Sequence, residues 1–155
     1  MLKGKLLHPQ ILEALGRAGH GSQVLIADGN YPAYTKLGPK AALVNLNLSP
    51  GLVNCTQVLE ALLSAIVVEG AAVMAGADSE PPIWNEFRAI LHKEFGQEMK
   101  LTEIERFKFY DAAESPNVAL TILTGEQRIY ANLLLTIGVV KPPKFPYTTP
   151  PVVEH

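Results

Sequence analysis

Short apolar runs closed by turn residues alternate along this chain with segments whose apolar residues fall at helical spacing. That alternation restricts the fold more than any other feature of the sequence. Residues 23–28, QVLIAD, are a compact set of β-formers followed by the turn signal DGNYP, so they predict a buried strand that delivers Asp28 to a loop. ALVNLN (42–47), GAAVMAGA (70–77), EIERFKFY (103–110), VALTILTG (118–125) and YANLLLTIGVV (130–140) are read as further strands. HPQILEALGRAGHG (8–21) has proline in a first-turn position and a glycine stop, and NCTQVLEALLSAI (54–66) has a polar start. SEPPIWNEFRAILHKEFG (79–96) has prolines at its head and a closing glycine, and all three predict helices. Helices and strands are mixed throughout, so a layered α/β domain is expected rather than a bundle or a sandwich.

At 155 residues the chain is about one domain long. A charged fraction of 18% against 48% hydrophobic residues leaves less charged surface than usual, which favours an oligomer. The net charge of -2 gives no electrostatic footprint for nucleic acid. Cys55, the single cysteine, has no partner for a disulfide or a metal cluster; it is read as a buried small residue of a cytoplasmic protein. No signal peptide and no membrane span are expected, because VLEALLSAIVVEGAAVMAG is broken by Glu60, Glu69 and glycines. The proline-rich end, KPPKFPYTTPPVVEH (141–155), is read as an extended arm or a disordered tail after a domain spanning 1–140.

Candidate chemistry is sparse and specific. His8, His20, His92 and His155 have no ligand partner at i+3 or i+4, so no metal site is expected. His20 stands apart because Gly19 and Gly21 leave its imidazole unshielded; the plain alternative is a helix cap. Asp28 ends a strand, where a carboxylate is held rigidly and accepts hydrogen bonds from hydroxyl groups; the plain alternative is an Asx turn. Arg106 sits in a strand-like pattern, where a long cation must face solvent, pair with an acid or enter a site. Tyr130 and Asn132, two apart, share a side if the segment is extended; the plain reading of TGEQRIYAN (124–132) is a hairpin-like connection. Phosphate-loop, dinucleotide and serine-hydrolase motifs are missing from the sequence. One histidine with an aspartate, an arginine, a tyrosine and an asparagine suits polyol recognition and proton transfer.

GHG (19–21), LIADGNYP (25–32), GP (38–39), IERFKFY (104–110) and TGEQRIYANLLLTIGV (124–139) occur in this order, and together they resemble the RbsD/FucU family of sugar mutarotases. ADGNYP followed by ERFKFYDAAE looks more like the L-fucose branch than the D-ribose pyranase branch. The resemblance implies a three-layer α/β/α fold with a mixed central sheet and a cytoplasmic, cofactor-independent and metal-free isomerase of free monosaccharides. It also implies a decameric ring. It makes His20 the catalytic residue and Asp28, Arg106, Tyr130 and Asn132 the substrate-binding residues, with Tyr130 a candidate second proton relay. Ala131 stands where a Tyr-Gly-Asn would have glycine, and Ser22 and Gln23 stand where an acidic pair is common. A methyl group at 131 is expected to narrow the site or change the sugar it accepts. The competing functions are a pyranose/furanose isomerase of ribose type and a sugar-binding protein without turnover.

At about 3.3 Å per residue, a strand over 23–28 puts His20 and Asp28 on the order of 20 Å apart. The expected site therefore takes His20 from one subunit and the other four residues from its neighbour.

Overall fold

A computed structural model describes residues 1–76 and 78–143; the tail reading therefore lies almost wholly outside the described residues. Ten elements follow one another: α1 Pro9–Arg17, β1 Gln23–Ala27, β2 Ala42–Asn45, α2 Cys55–Leu63, β3 Val68–Met74, α3 Ile83–Phe95, β4 Leu101–Ile104, α4 Arg106–Ala113, β5 Val118–Leu123 and β6 Leu133–Ile137. The strands form one sheet in the order β2-β5-β1-β6-β3-β4, parallel throughout except for β6, which runs against both β1 and β3.

The apolar runs are continuous because both faces of the sheet are covered. Val24 and Ile26 of β1 face a core shared with Ile11 of α1, Leu59 of α2 and Phe87 of α3. Leu25 and Ala27 face the opposite side, against Phe109 of α4, Tyr31 and Ala33. Three layers result, α/β/α with a mixed sheet, as the resemblance implied. No helix among the described residues is long and apolar enough to cross a membrane.

Local chemistry sets the helix ends. Asn54 and Gln57 form a reciprocal capping box at the start of α2. α3 begins only after Pro81 and Pro82, and it stops at Gly96, whose φ of 86° suits a residue without a side chain.

The 103–110 segment corrects the sequence reading. Only its first two residues belong to β4, and a helix starts at Arg106. The Glu105 carboxylate accepts hydrogen bonds from the Phe107 and Lys108 amides, which caps α4. The apparent alternation of Phe107 and Phe109 is not used: Phe107 is 70% exposed, and Phe109 pairs instead with Ala113 one turn on, both buried. The 124–132 segment is not a hairpin either, because β5 and β6 lie on opposite sides of β1. It crosses the end of β1 and is locked to the loop before α2, with Gly51 N–H donating to the Gly125 carbonyl at 2.7 Å and Gly125 N–H to that of Val53 at 2.9 Å. A side chain at Gly125 would collide with the backbone carbonyls of Leu52 and Ser49.

Candidate active site

Five of the six strands run the same way, so the ends of β1, β3, β4 and β5 lie along one edge of the sheet, together with the start of β6. Ligands of open α/β sheets collect at that edge. Asp28 follows β1 there, Arg106 follows β4, and Tyr130 and Asn132 precede β6. His20 precedes β1 and lies at the opposite edge, beside the start of β3 and the end of β6.

Asp28 and Asn132 meet directly because β1 and β6 are neighbours. Asn132 Nδ2 donates to Asp28 Oδ2 at 3.1 Å, and the Asp28 backbone N–H returns a bond to Asn132 Oδ1 at 2.9 Å. The Asn30 amide donates to Asp28 Oδ1 at 2.9 Å, so the Asx turn is present as well. Asp28 is only 3% exposed. Burial pushes its carboxyl above the ordinary carboxylate value, and hydrogen bonds from Asn30, Ala131, Tyr31 and Asn132 oppose that rise.

Tyr130 does not share a side with Asn132, since its φ of 59° takes the backbone out of the extended form. Its hydroxyl donates to the Gly76 carbonyl at 2.9 Å, and its own carbonyl accepts from Trp84 Nε1 at 2.9 Å. The ring is thereby fixed over the end of β3. Arg106, in the first turn of α4 rather than in a strand, is exposed and lies 5.9 Å from the Phe107 ring centre. Among the described residues it pairs with no carboxylate, so the cross-strand ion pair is not formed.

His20 lies in a turn closed by Ser22 N–H donating to the Gly19 carbonyl at 3.0 Å. The cap of α1 is Ala18, not His20. The imidazole Nε2 sits 2.9 Å from Glu69 Oε1, and the His20 side chain is 59% exposed. His20 lines a groove of about 740 Å³ with Arg17, Ser22, Lys40 and Asn117. Tyr130 lines another, of about 590 Å³, with Gly76, Asp78, Glu80 and Arg128. The two grooves share no residue.

A family model described as the RbsD / FucU transport protein family matches residues 1–140. The chain belongs to this family. It is 35% identical over 154 residues to the fucose mutarotase of Homo sapiens, covering 90% of this chain and 94% of that one. It is 34% identical over 139 residues to the D-ribose pyranase of Streptomyces avermitilis, with 90% and 98% covered. The crystal structure of the fucose mutarotase of Streptococcus pneumoniae in complex with L-fucose superposes with a TM-score of 0.74 at 25% identity, covering 86% of this chain and 94% of that chain.

Within this RbsD/FucU chain Ala131 is fully buried and belongs to the core under α1, α2 and α3. Its methyl group faces that core, which removes the reason to expect a narrowed sugar site. Two acidic residues near the candidate positions were given no site role by sequence reasoning. Glu69 interrupts an apolar strand, and its only signal is the glycine that follows it. Glu126, 4% exposed, accepts from Arg128 Nε and Nη2 at 2.9 Å each and from the Cys55 amide at 3.4 Å. Burial pushes the Glu126 carboxyl up, but the hydrogen bonds and charge of Arg128 outweigh this and hold it below the ordinary carboxylate value. It ties the 124–132 loop to the start of α2 and lies outside the five-residue set.

Proposed function

We propose that this protein is a sugar mutarotase that interconverts the α and β anomers of free L-fucose by acid–base catalysis, without a cofactor. The observation that carries this reading is the likeness, over nine-tenths of the chain, to a human protein named fucose mutarotase, joined to the likeness of fold to an L-fucose complex.

Mutarotation asks little of the protein beyond proton transfer. A base removes the proton of the anomeric hydroxyl, the bond between C1 and the ring oxygen breaks, and an acid protonates that oxygen. The open aldehyde turns its other face, and the reverse steps close the ring with the opposite anomer. Imidazole is the side chain suited to both roles near neutral pH, and such help is worth ~10²- to 10⁴-fold. His20 takes this role in the proposal. Asp28, Arg106, Tyr130 and Asn132 hold the hydroxyls and orient the ring.

The division of these residues between opposite sheet edges supports a site shared by two subunits. The protein is then a homo-oligomer, a decameric ring by family resemblance, and the unpaired apolar side chains of Tyr34, Leu48, Phe107, Ile129 and Val140 suit burial between copies. Residues 1–140 form the catalytic domain in this reading, followed by a proline-rich tail over 141–155, and the cytoplasm is the compartment.

Saturation-difference proton NMR tests the activity. Irradiating one anomeric signal of L-fucose is expected to transfer saturation to the other in the presence of wild-type protein and not with His20→Ala. A response confined to D-ribose would favour the pyranase reading that the Streptomyces relative represents. Binding without exchange for any sugar would favour a sugar-binding protein.

A further inference from the structure

Trp84, the only tryptophan of the chain, lies in the first turn of α3 and is 3% exposed, in the core that holds Ile83 and Phe87. An indole buried so deeply needs an acceptor for its single donor. The acceptor is not on α3: Nε1–H reaches the Tyr130 carbonyl at 2.9 Å. That carbonyl belongs to the peptide unit whose other end is the Ala131 N–H, and the Ala131 N–H is one of the donors that hold the Asp28 carboxylate. One peptide plane therefore carries a hydrogen bond at each end, indole to carbonyl and amide to carboxylate. Bonds linked in this way polarise and strengthen each other.

The plane needs such fixing. Tyr130 has a φ of 59°, a conformation that a bulky residue adopts at a cost and keeps only where its surroundings over-determine it. Here they act at three points. Trp84 donates to the Tyr130 carbonyl, the Gly76 carbonyl accepts from the Tyr130 hydroxyl at 2.9 Å, and Glu86 Oε1 accepts from Arg128 Nη1 at 2.7 Å. The start of α3 thus grips the same stretch of chain at 128 and at 130.

We propose that Trp84 is a positioning residue for the sugar site, holding the 130–131 peptide in the one orientation that presents the Tyr130 phenol and the Asp28 carboxylate together. This inference rests on Tyr130 and Asp28 being sugar-binding residues. Trp84 itself touches no sugar and acts from the core through the backbone. Because it is the only tryptophan, its emission reports on the site: a sugar seated against Tyr130 and Asp28 is sensed at the indole.

The test compares wild type with Trp84→Phe, which keeps an aromatic ring in the core and removes the N–H. Saturating L-fucose is expected to change the tryptophan emission of wild type. Trp84→Phe is expected to raise KM for L-fucose by about threefold to tenfold, the worth of one hydrogen bond, with kcat within about twofold of wild type. By hydrogen–deuterium exchange, the Ala131 amide should lose protection in Trp84→Phe by a larger factor than the amides of β1, which marks a local loosening rather than a general loss of stability. An unchanged KM, or an Ala131 amide affected no more than those of β1, would overturn the proposal. Emission that stays constant while calorimetry shows L-fucose bound to wild type would overturn it too, and that measurement does not depend on the variant folding. Wild-type protein that neither binds nor interconverts L-fucose would instead reject the proposed function, and the protection of Ala131 would still decide whether Trp84 holds this peptide, because it needs no sugar.

Discussion

Single side chains here carry sharply different obligations. Asp28 and Asn132 are already hydrogen-bonded to each other and, through Asp28, to the 28–30 turn, so a sugar would meet a pre-formed pair rather than free side chains. Ala131 between Tyr130 and Asn132 faces the core. Ala131→Gly is therefore expected to leave sugar preference unchanged and to cost about 1–2 kcal/mol of stability, from a lost methyl contact and added chain freedom. Urea unfolding together with an exchange panel over several sugars checks both halves; a changed preference at constant stability would contradict the placement of that methyl group. Burial pushes the Cys55 thiol up to about 12, so it should resist thiol reagents in the native protein at mild pH and react only on unfolding. Rapid labelling without denaturant would contradict this.

Glu126 gives the pH dependence a definite sign. Its ordinary value is 4.5 and its native value lies lower, so folding favours the ionised form. That stabilisation is fully present above about pH 4.5 and is lost as the pH falls through the native value. Glu126→Gln is expected to cost about 2 kcal/mol near neutrality, with the gap to wild type narrowing in more acid solution. Urea melts from neutral pH down to about pH 3 measure the gap, and a gap independent of pH would remove the carboxylate from this role.

At the scale of elements, how far the sequence could be read depended on which signals were local. β1, β5 and β6 were legible because runs such as VLIA and LLLTI are apolar at nearly every position, as suits strands buried on both faces. The three longer helices were legible from prolines, glycines and polar caps. α4 was misread because RFKFY alternates over a few residues as well as any strand does, whereas its helical pair, Phe109 with Ala113, involves a small residue that carries little weight in a hydrophobic pattern. The deciding contact is the Glu105 cap, and Glu105→Ala should destabilise the domain by about 1 kcal/mol while leaving the sheet intact. Circular dichroism with urea unfolding is the check, and an unchanged midpoint would mean the cap contributes nothing. The misreading also misplaced Arg106, which gains its exposed position from the first turn of that helix. Glu69 was illegible for another reason: it is the extra residue of a β-bulge between β3 and β6, a property of two strands in register that neither announces alone.

The whole molecule sets one end of its sheet against the other. His20 and Glu69 mark one edge, and Asp28, Arg106, Tyr130 and Asn132 mark the opposite edge, with β1 between them. No conformational adjustment short of unfolding β1 would bring the two groups of one chain onto one monosaccharide, so in the proposed reading copies of the chain meet edge to edge. The most direct test mixes two inactive variants, His20→Ala and Arg106→Ala, both altered at exposed side chains, after dissociating and reassembling the oligomers. A shared site regains a wild-type histidine opposite a wild-type arginine at about one interface in four when equal amounts combine at random. L-fucose anomer exchange should then return to about a quarter of the wild-type rate. Mixed oligomers, verified by native mass spectrometry, that remain as inactive as their parents would contradict a site divided between subunits.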